Sequence, residues 1–203
     1  MPKFPVLAAA LIAISAISAL AVFAVYVNLG GERNVAGPGA AAPAAPDSAA
    51  RLASFVVHDS PRPVADVSFQ SADGSTRTLA EWRGRAVLVN LWATWCAPCR
   101  HEMPALDRLQ KRLGGATFEV VTISLDRGGF DQPRAFFEEI GIENLALYNE
   151  KSSTMLSTLG VVGMPTPLLI DAEGREIGRV AGPVEWDAEE AVAMITRLAA
   201  LGS

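Results

Sequence analysis

The chain has 203 residues, half of them apolar, with 17 Lys and Arg against 22 Asp and Glu and only two cysteines, a length that suits one domain with additions. Residues 1–50 hold two cations (Lys3, Arg33) and two anions (Glu32, Asp47), which leaves 15 cations against 20 anions for the rest. That sign repels phosphate backbones and argues against nucleic acid as a partner. Two cysteines are too few for a disulfide framework or a four-thiolate zinc site, and enough for one redox pair.

From Val6 to Val27 the chain runs 22 residues without a charge. At about 1.5 Å per residue this spans the roughly 30 Å hydrocarbon core of a bilayer. A cleaved signal peptide is the alternative, with Ala19-Leu20-Ala21 as its processing site. The length of the stretch and Tyr26 near its far end favour an uncleaved anchor, and Lys3 ahead of it predicts a cytoplasmic N-terminus with the remainder exported. Residues 1–29 are therefore predicted to be a signal-anchor transmembrane helix. Residues 30–50 are Gly, Ala and Pro with almost nothing to bury, and they read as an unstructured linker with an end-to-end distance of roughly 25 Å. Residues 51–203 remain as the folded domain.

That domain opens on a short hairpin, Val64–Phe69 with Ser75–Thr78 around Asp73-Gly74. Strand-length apolar runs then alternate with helical segments. Ala86–Trp92, Phe118–Leu125 and Leu145–Tyr148 read as strands, and Pro98–Leu113, Gln132–Ile140 and Ser152–Leu159 as helices. Pro167–Ile170 and Glu176–Ala181 flank the turn Asp171-Ala-Glu-Gly174 as an antiparallel hairpin, and Asp187–Leu201 closes the chain as an amphipathic helix. The alternation predicts an α/β domain with a partly parallel, mixed central sheet flanked by helices.

Ala86–Trp92 (AVLVNLW) is apolar apart from Asn90, as a strand covered on both faces should be. It runs directly into ATWCAPCR, which places Cys96 where a helix begins. Free backbone N–H groups and the helix dipole favour a thiolate there, so the first cysteine is the natural nucleophile. Along the helix, Cys99, Glu102, Leu106, Leu109 and Leu113 form one stripe, which puts Glu102 on the buried side. Glu102 either bends to solvent or pairs with an Arg, or is desolvated one turn beyond Cys99 so that its pKa rises and it can exchange protons with a thiol. The second reading is preferred. Pro104 removes one backbone hydrogen bond from the same helix and is expected to kink it. Trp92 and Trp95 flank the cysteines; Trp95 reads as a wall of the substrate surface. His58 and His101 receive no catalytic role, His101 because it points off the stripe.

WCAPC after a buried strand, Pro104 five residues past Cys99, and GMPT at Gly163–Thr166 before a hairpin together resemble the thioredoxin fold over roughly residues 55–203. NLWATWCAPCRHEMPAL is most similar to the membrane-anchored TlpA/ResA group of extracytoplasmic reductases, and AGPVEW (Ala181–Trp186) to the TlpA side of it. In cytosolic thioredoxins a buried Asp six residues before the nucleophilic Cys accepts the proton of the resolving thiol. Here that position is Asn90, and the resemblance assigns the role to Glu102. It further implies a cis Met164–Pro165 bond facing Cys96, with the Met164 backbone and Pro165 joining Trp95 in the substrate site. Pro167 departs from the pattern and is expected at an edge or at the first residue of its strand.

The resemblance thus implies a thiol:disulfide oxidoreductase acting as a reductase, with no cofactor beyond the Cys96–Cys99 pair. The protein would be a monomer held to the bacterial inner membrane with its domain in the periplasm. It would be recharged by a membrane electron donor of the DsbD or CcdA kind and would serve apocytochrome c or the copper-chaperone proteins of cytochrome oxidase assembly. A disulfide-forming oxidant would use the same cysteines in reverse. A peroxidase would need a Thr where Ala93 stands. A copper-binding module of the Sco kind would use both thiolates and a distant His, but there three residues separate the cysteines, against two here, and His58 lies ahead of the predicted core.

Overall fold

A computed structural model describes residues 52–201. The predicted anchor and linker lie outside the described residues. Among the described residues no helix is long and apolar enough to cross a membrane.

The strands are β1 (Val56–Pro63), β2 (Ser68–Ser71), β3 (Thr76–Thr78), β4 (Ala86–Trp92), β5 (Phe118–Ser124), β6 (Tyr148–Asn149), β7 (Leu168–Ile170) and β8 (Arg175–Arg179). Among the described residues the helices are α1 (Ala97–Leu113), α2 (Asp131–Ile140), α3 (Thr154–Thr158) and α4 (Glu189–Leu201), with one 3-10 turn at Leu79–Trp82. All eight strands join one sheet in the order β1-β8-β7-β4-β5-β6-β2-β3. β4 runs parallel to β5, with Asn90 opposite Thr122, and antiparallel to β7, with Val89 opposite Leu168. The mixed sheet predicted from sequence is therefore present.

Every residue of β4 is buried because both of its faces are covered. The period of two sends Ala86, Leu88 and Trp92 into a core with Met103, Leu106 and Leu109 of α1 and with Ala191, Ile195 and Leu198 of α4. Val87, Val89 and Leu91 face a second core built from Phe69, Trp82, Tyr148 and Met155. Asn90 falls on the α1 side by the same alternation. Phe69, Trp82 and Tyr148 close that second core through edge-to-face and stacked contacts, with ring centroids 5.2–6.0 Å apart.

Several boundaries differ from the sequence expectation. The first hairpin starts at Ser68 rather than Val64. Its register is set by its turn, where Asp73 accepts from the Ser75 N–H at 2.9 Å and Gly74 takes φ +86°, and by pairing of Gln70 and Ser71 with Asn149 and Tyr148. The strand predicted at Leu145–Tyr148 lies instead at Tyr148–Asn149. β1 was not anticipated. Its sequence, VVHDSPRP, has no alternation and no apolar residue beyond Val56 and Val57 apart from its prolines, and it is held instead by antiparallel pairing with β8, interrupted by an irregularity between Val57 and Arg62. It places His58 inside the sheet rather than ahead of the core. Pro167 directly precedes β7, which is an internal strand and not an edge, and its carbonyl accepts from the Val180 N–H at 3.2 Å.

Candidate active site

Cys96 and Cys99 are joined as a disulfide, with Sγ–Sγ 2.02 Å. Cys96 is the N-cap of α1 and its carbonyl accepts from the Arg100 N–H at 3.0 Å, so the first helical turn begins at the peptide of the first cysteine. Pro98 follows within the first two helical positions, where the lack of an N–H does no harm. The two sulfur residues differ in access: Cys96 is 7% exposed and Cys99 fully buried. α1 continues through Pro104 to Leu113, and its stripe is buried as predicted at Cys99, Glu102, Leu106 and Leu109.

Glu102 is 1% exposed. Its Oε1 accepts from Asn90 Nδ2 at 2.9 Å and its Oε2 from Trp186 Nε1 at 3.3 Å, while the backbone of Val184 donates a further hydrogen bond. Among the described residues no cation bonds to it. Burial pushes its pKa from an ordinary 4.5 up to about 8; the three donors resist that rise and the charge of Glu185 adds to it. A carboxyl in that range holds a proton near neutral pH and can still release it, which is what proton exchange with a neighbouring thiol requires.

Two further segments complete the site. The Met164–Pro165 bond is cis, Met164 packs against both cores, and the Pro165 carbonyl accepts from the Gly182 N–H at 2.8 Å. The segment from Gly182 to Trp186 therefore ties the proline loop at one end to Glu102 at the other. On the opposite side, the loop leading into Cys96 is pinned by Asp126, which accepts from the Thr94 N–H at 3.0 Å and the Thr94 hydroxyl at 2.6 Å, and from Ser124 Oγ at 2.8 Å. Leu125 N–H also bonds the Trp92 carbonyl at 2.8 Å.

The sequence-predicted residues are brought together as follows. Cys96, Cys99 and Glu102 share the first turns of α1, and Trp95 stands 67% exposed beside them. Val162, in the loop leading to Pro165, is also fully exposed. Trp92 belongs to the core, its ring 5.4 Å from Phe137 and nearly parallel to it. His101 is exposed, and His58 Nε2 is engaged at 2.9 Å by Glu176. Among the described residues no group of three His, Cys, Asp or Glu side chains stands close enough to share a metal ion.

Sequence reasoning missed Trp186, Val184 and Asp126. Asp126 follows the carboxyl end of a parallel strand, the end where α/β sheets gather functional groups, and that position was a usable signal. Trp186 gave a weaker one: a Trp packed between a Gly-Pro turn and a helix must find an acceptor for its N–H.

A family model described as Redoxin matches residues 53–195. The chain is 33% identical over 110 residues to the thioredoxin-like protein YneN of Bacillus subtilis, covering 54% of this chain and 64% of that protein. It is 27% identical over 110 residues to the thiol-disulfide oxidoreductase ResA of Bacillus anthracis, covering 54% of this chain and 62% of the relative. The chain thus spans somewhat under two thirds of the length of these curated relatives. The crystal structure of a thiol:disulfide interchange protein of the thioredoxin family from Chlorobium tepidum superposes with a TM-score of 0.54 at 28% identity, covering 68% of this chain and 98% of that one.

Proposed function

The chain belongs to the Redoxin family and is related to its TlpA/ResA-like members, and from that premise we propose that it is a thiol:disulfide oxidoreductase working as an extracytoplasmic reductase of protein disulfides. The observation that carries the reading is the Cys96–Cys99 disulfide at the start of α1 with the buried carboxyl of Glu102 one helical turn beyond Cys99, hydrogen-bonded by Asn90 and Trp186 rather than by a cation.

In the reducing direction the Cys96 thiolate attacks a client disulfide, forming a mixed disulfide and releasing one client thiolate. Glu102, as the carboxylate, takes the proton of the Cys99 thiol. The Cys99 thiolate then attacks the Cys96 sulfur, the second client sulfur leaves reduced, and the Cys96–Cys99 disulfide is restored. Recharging reverses the proton path: as a donor thiolate attacks Cys96, Cys99 leaves as thiolate and Glu102 returns its proton. The exposed ring of Trp95 and the backbone of Met164 beside cis-Pro165 offer an extended client chain a surface and a pairing edge.

The reading extends to a monomeric protein anchored in the bacterial inner membrane through residues 6–27, its domain in the periplasm. The electron donor is a DsbD- or CcdA-type membrane protein, and the clients are apocytochrome c or copper-chaperone proteins of cytochrome oxidase assembly. The apolar N-terminal stretch and the ResA relationship support this placement.

The test is the reduction potential of the Cys96–Cys99 pair, by equilibration against defined thiol buffers. A value near or below about −270 mV is expected for a reductase, whereas one near about −120 mV would mark an oxidant and overturn the reading. In cells making Cys99→Ala, client proteins should accumulate as mixed disulfides with Cys96 on non-reducing gels.

A further inference from the structure

The two oxygens of Glu102 are not equivalent. Oε2 faces the indole N–H of Trp186, and Oε1 faces the amide of Asn90. An indole nitrogen can only donate, whereas an amide can donate from one end and accept at the other. Among the described residues Asn90 Oδ1 is buried without a hydrogen-bond partner. With the carboxyl ionised, Asn90 donates to Oε1 as seen. With a proton on Oε1, a half-turn of the amide presents Oδ1 as the acceptor, and Nδ2 moves to the place where Oδ1 stood without a partner. A proton on Oε2 would instead meet the N–H of Trp186 head-on, leaving two buried donors facing one another.

We propose that Trp186 is a positioning residue for the proton of Glu102: its indole N–H reserves Oε2 as an acceptor in both protonation states, so that Oε1, the oxygen beside Asn90, is the one that takes up and releases the proton. Trp186 is fully buried and arrives from the segment whose other end, Gly182, is bonded to the Pro165 carbonyl. The placement of the proton is therefore tied to the loop that lies beside the client. The titratable group beside Glu102 is Glu185 on the Trp186 segment; Cys96 and Cys99, at the start of its own helix, are joined as a disulfide and do not titrate, and β4 presents only the uncharged Asn90.

The inference deepens the reductase reading and rests on it for its role in catalysis, but its physical content can be tested without turnover. In the full chain in detergent micelles, the indole proton of Trp186 and the carboxyl carbon of Glu102 are followed by NMR against pH. The indole signal should titrate together with the carboxyl carbon, with a midpoint near 8, and Glu102→Gln should abolish that titration. Trp186→Phe keeps a ring but removes the donor that favours the ionised form, so the Glu102 midpoint should move upward by about one pH unit. A folded Trp186→Phe protein with an unmoved midpoint, or a wild-type indole signal flat between about pH 6 and 10, overturns the proposal. If Trp186→Phe does not fold, the wild-type titration and its loss in Glu102→Gln decide the matter. A DsbA-like reduction potential would defeat the reductase reading and leave these titrations unaffected.

Discussion

Glu102 on α1 and Glu176 on β8 are both buried carboxyls, 1% and 5% exposed, and the protein treats them in opposite ways. Glu102 meets three uncharged donors, and burial carries its pKa up to about 8. Burial pushes Glu176 up as well, but hydrogen bonds from Arg179 at 2.6 Å to each oxygen and from His58 at 2.9 Å, with their charges, outweigh it and hold Glu176 below its ordinary value. Arg179 also reaches the Leu159 and Gly160 carbonyls at 3.1 Å, so the second carboxylate is the hub of a fixed cluster that joins β1, β8 and the loop before Pro165. The kind of partner, rather than depth, separates a carboxyl that can move a proton from one that fastens strands together.

The contrast is broken most severely at the proton. Glu102→Gln should slow resolution of the mixed disulfide by about 10²–10⁴-fold, the usual contribution of a positioned acid or base, in single-turnover reduction followed by quenching. Glu176→Gln should leave that rate unchanged.

Stability against pH sharpens the contrast next. The folded pKa of Glu102 lies above its unfolded value, so the folded state holds the extra proton. The stability linked to that proton is fully present below about 4.5 and is lost as pH rises through about 8, amounting to up to a few kcal/mol. Denaturant unfolding at a series of pH values should show this decline in the wild type, and Glu102→Gln should flatten it. Glu176 has the opposite sign: its contribution is present above its unfolded value of about 4.5 and is lost as pH falls below that value.

A smaller effect is expected at neutral pH for Glu176→Gln, a loss of about 1–3 kcal/mol in unfolding free energy as Arg179 and His58 lose their shared acceptor. Smallest of all is Glu189→Gln. It breaks the paired 2.7 Å contacts with Arg112 on the surface, and neither Tm nor redox rate should move measurably.

What the sequence disclosed about the site was what one element could carry. The stripe of α1 put Cys99, Glu102, Leu106 and Leu109 on one side because a helix repeats every 3.6 residues, and all four are buried. The alternation of β4 placed Asn90 on a face in the same local way. Partners brought in from afar left no such trace. Trp186 is 84 residues from Glu102, Asp126 is 32 from Thr94, and Glu176 is 118 from His58. No periodicity reports such separations. β1 escaped for a related reason: its hydrogen bonds come from β8, and its own residues, with prolines at 61 and 63, contribute little that favours a strand.

Those prolines have a consequence for crowding. β1 and β3 are the two margins of the eight-stranded sheet, where unpaired backbone groups would invite another chain to zip on. β3 offers only three residues, and β1 is interrupted by its irregular pairing and lacks two N–H groups at Pro61 and Pro63. Neither margin presents a run long enough to template a neighbouring copy. Growth of fibres by strand addition at either margin is therefore disfavoured at high concentration.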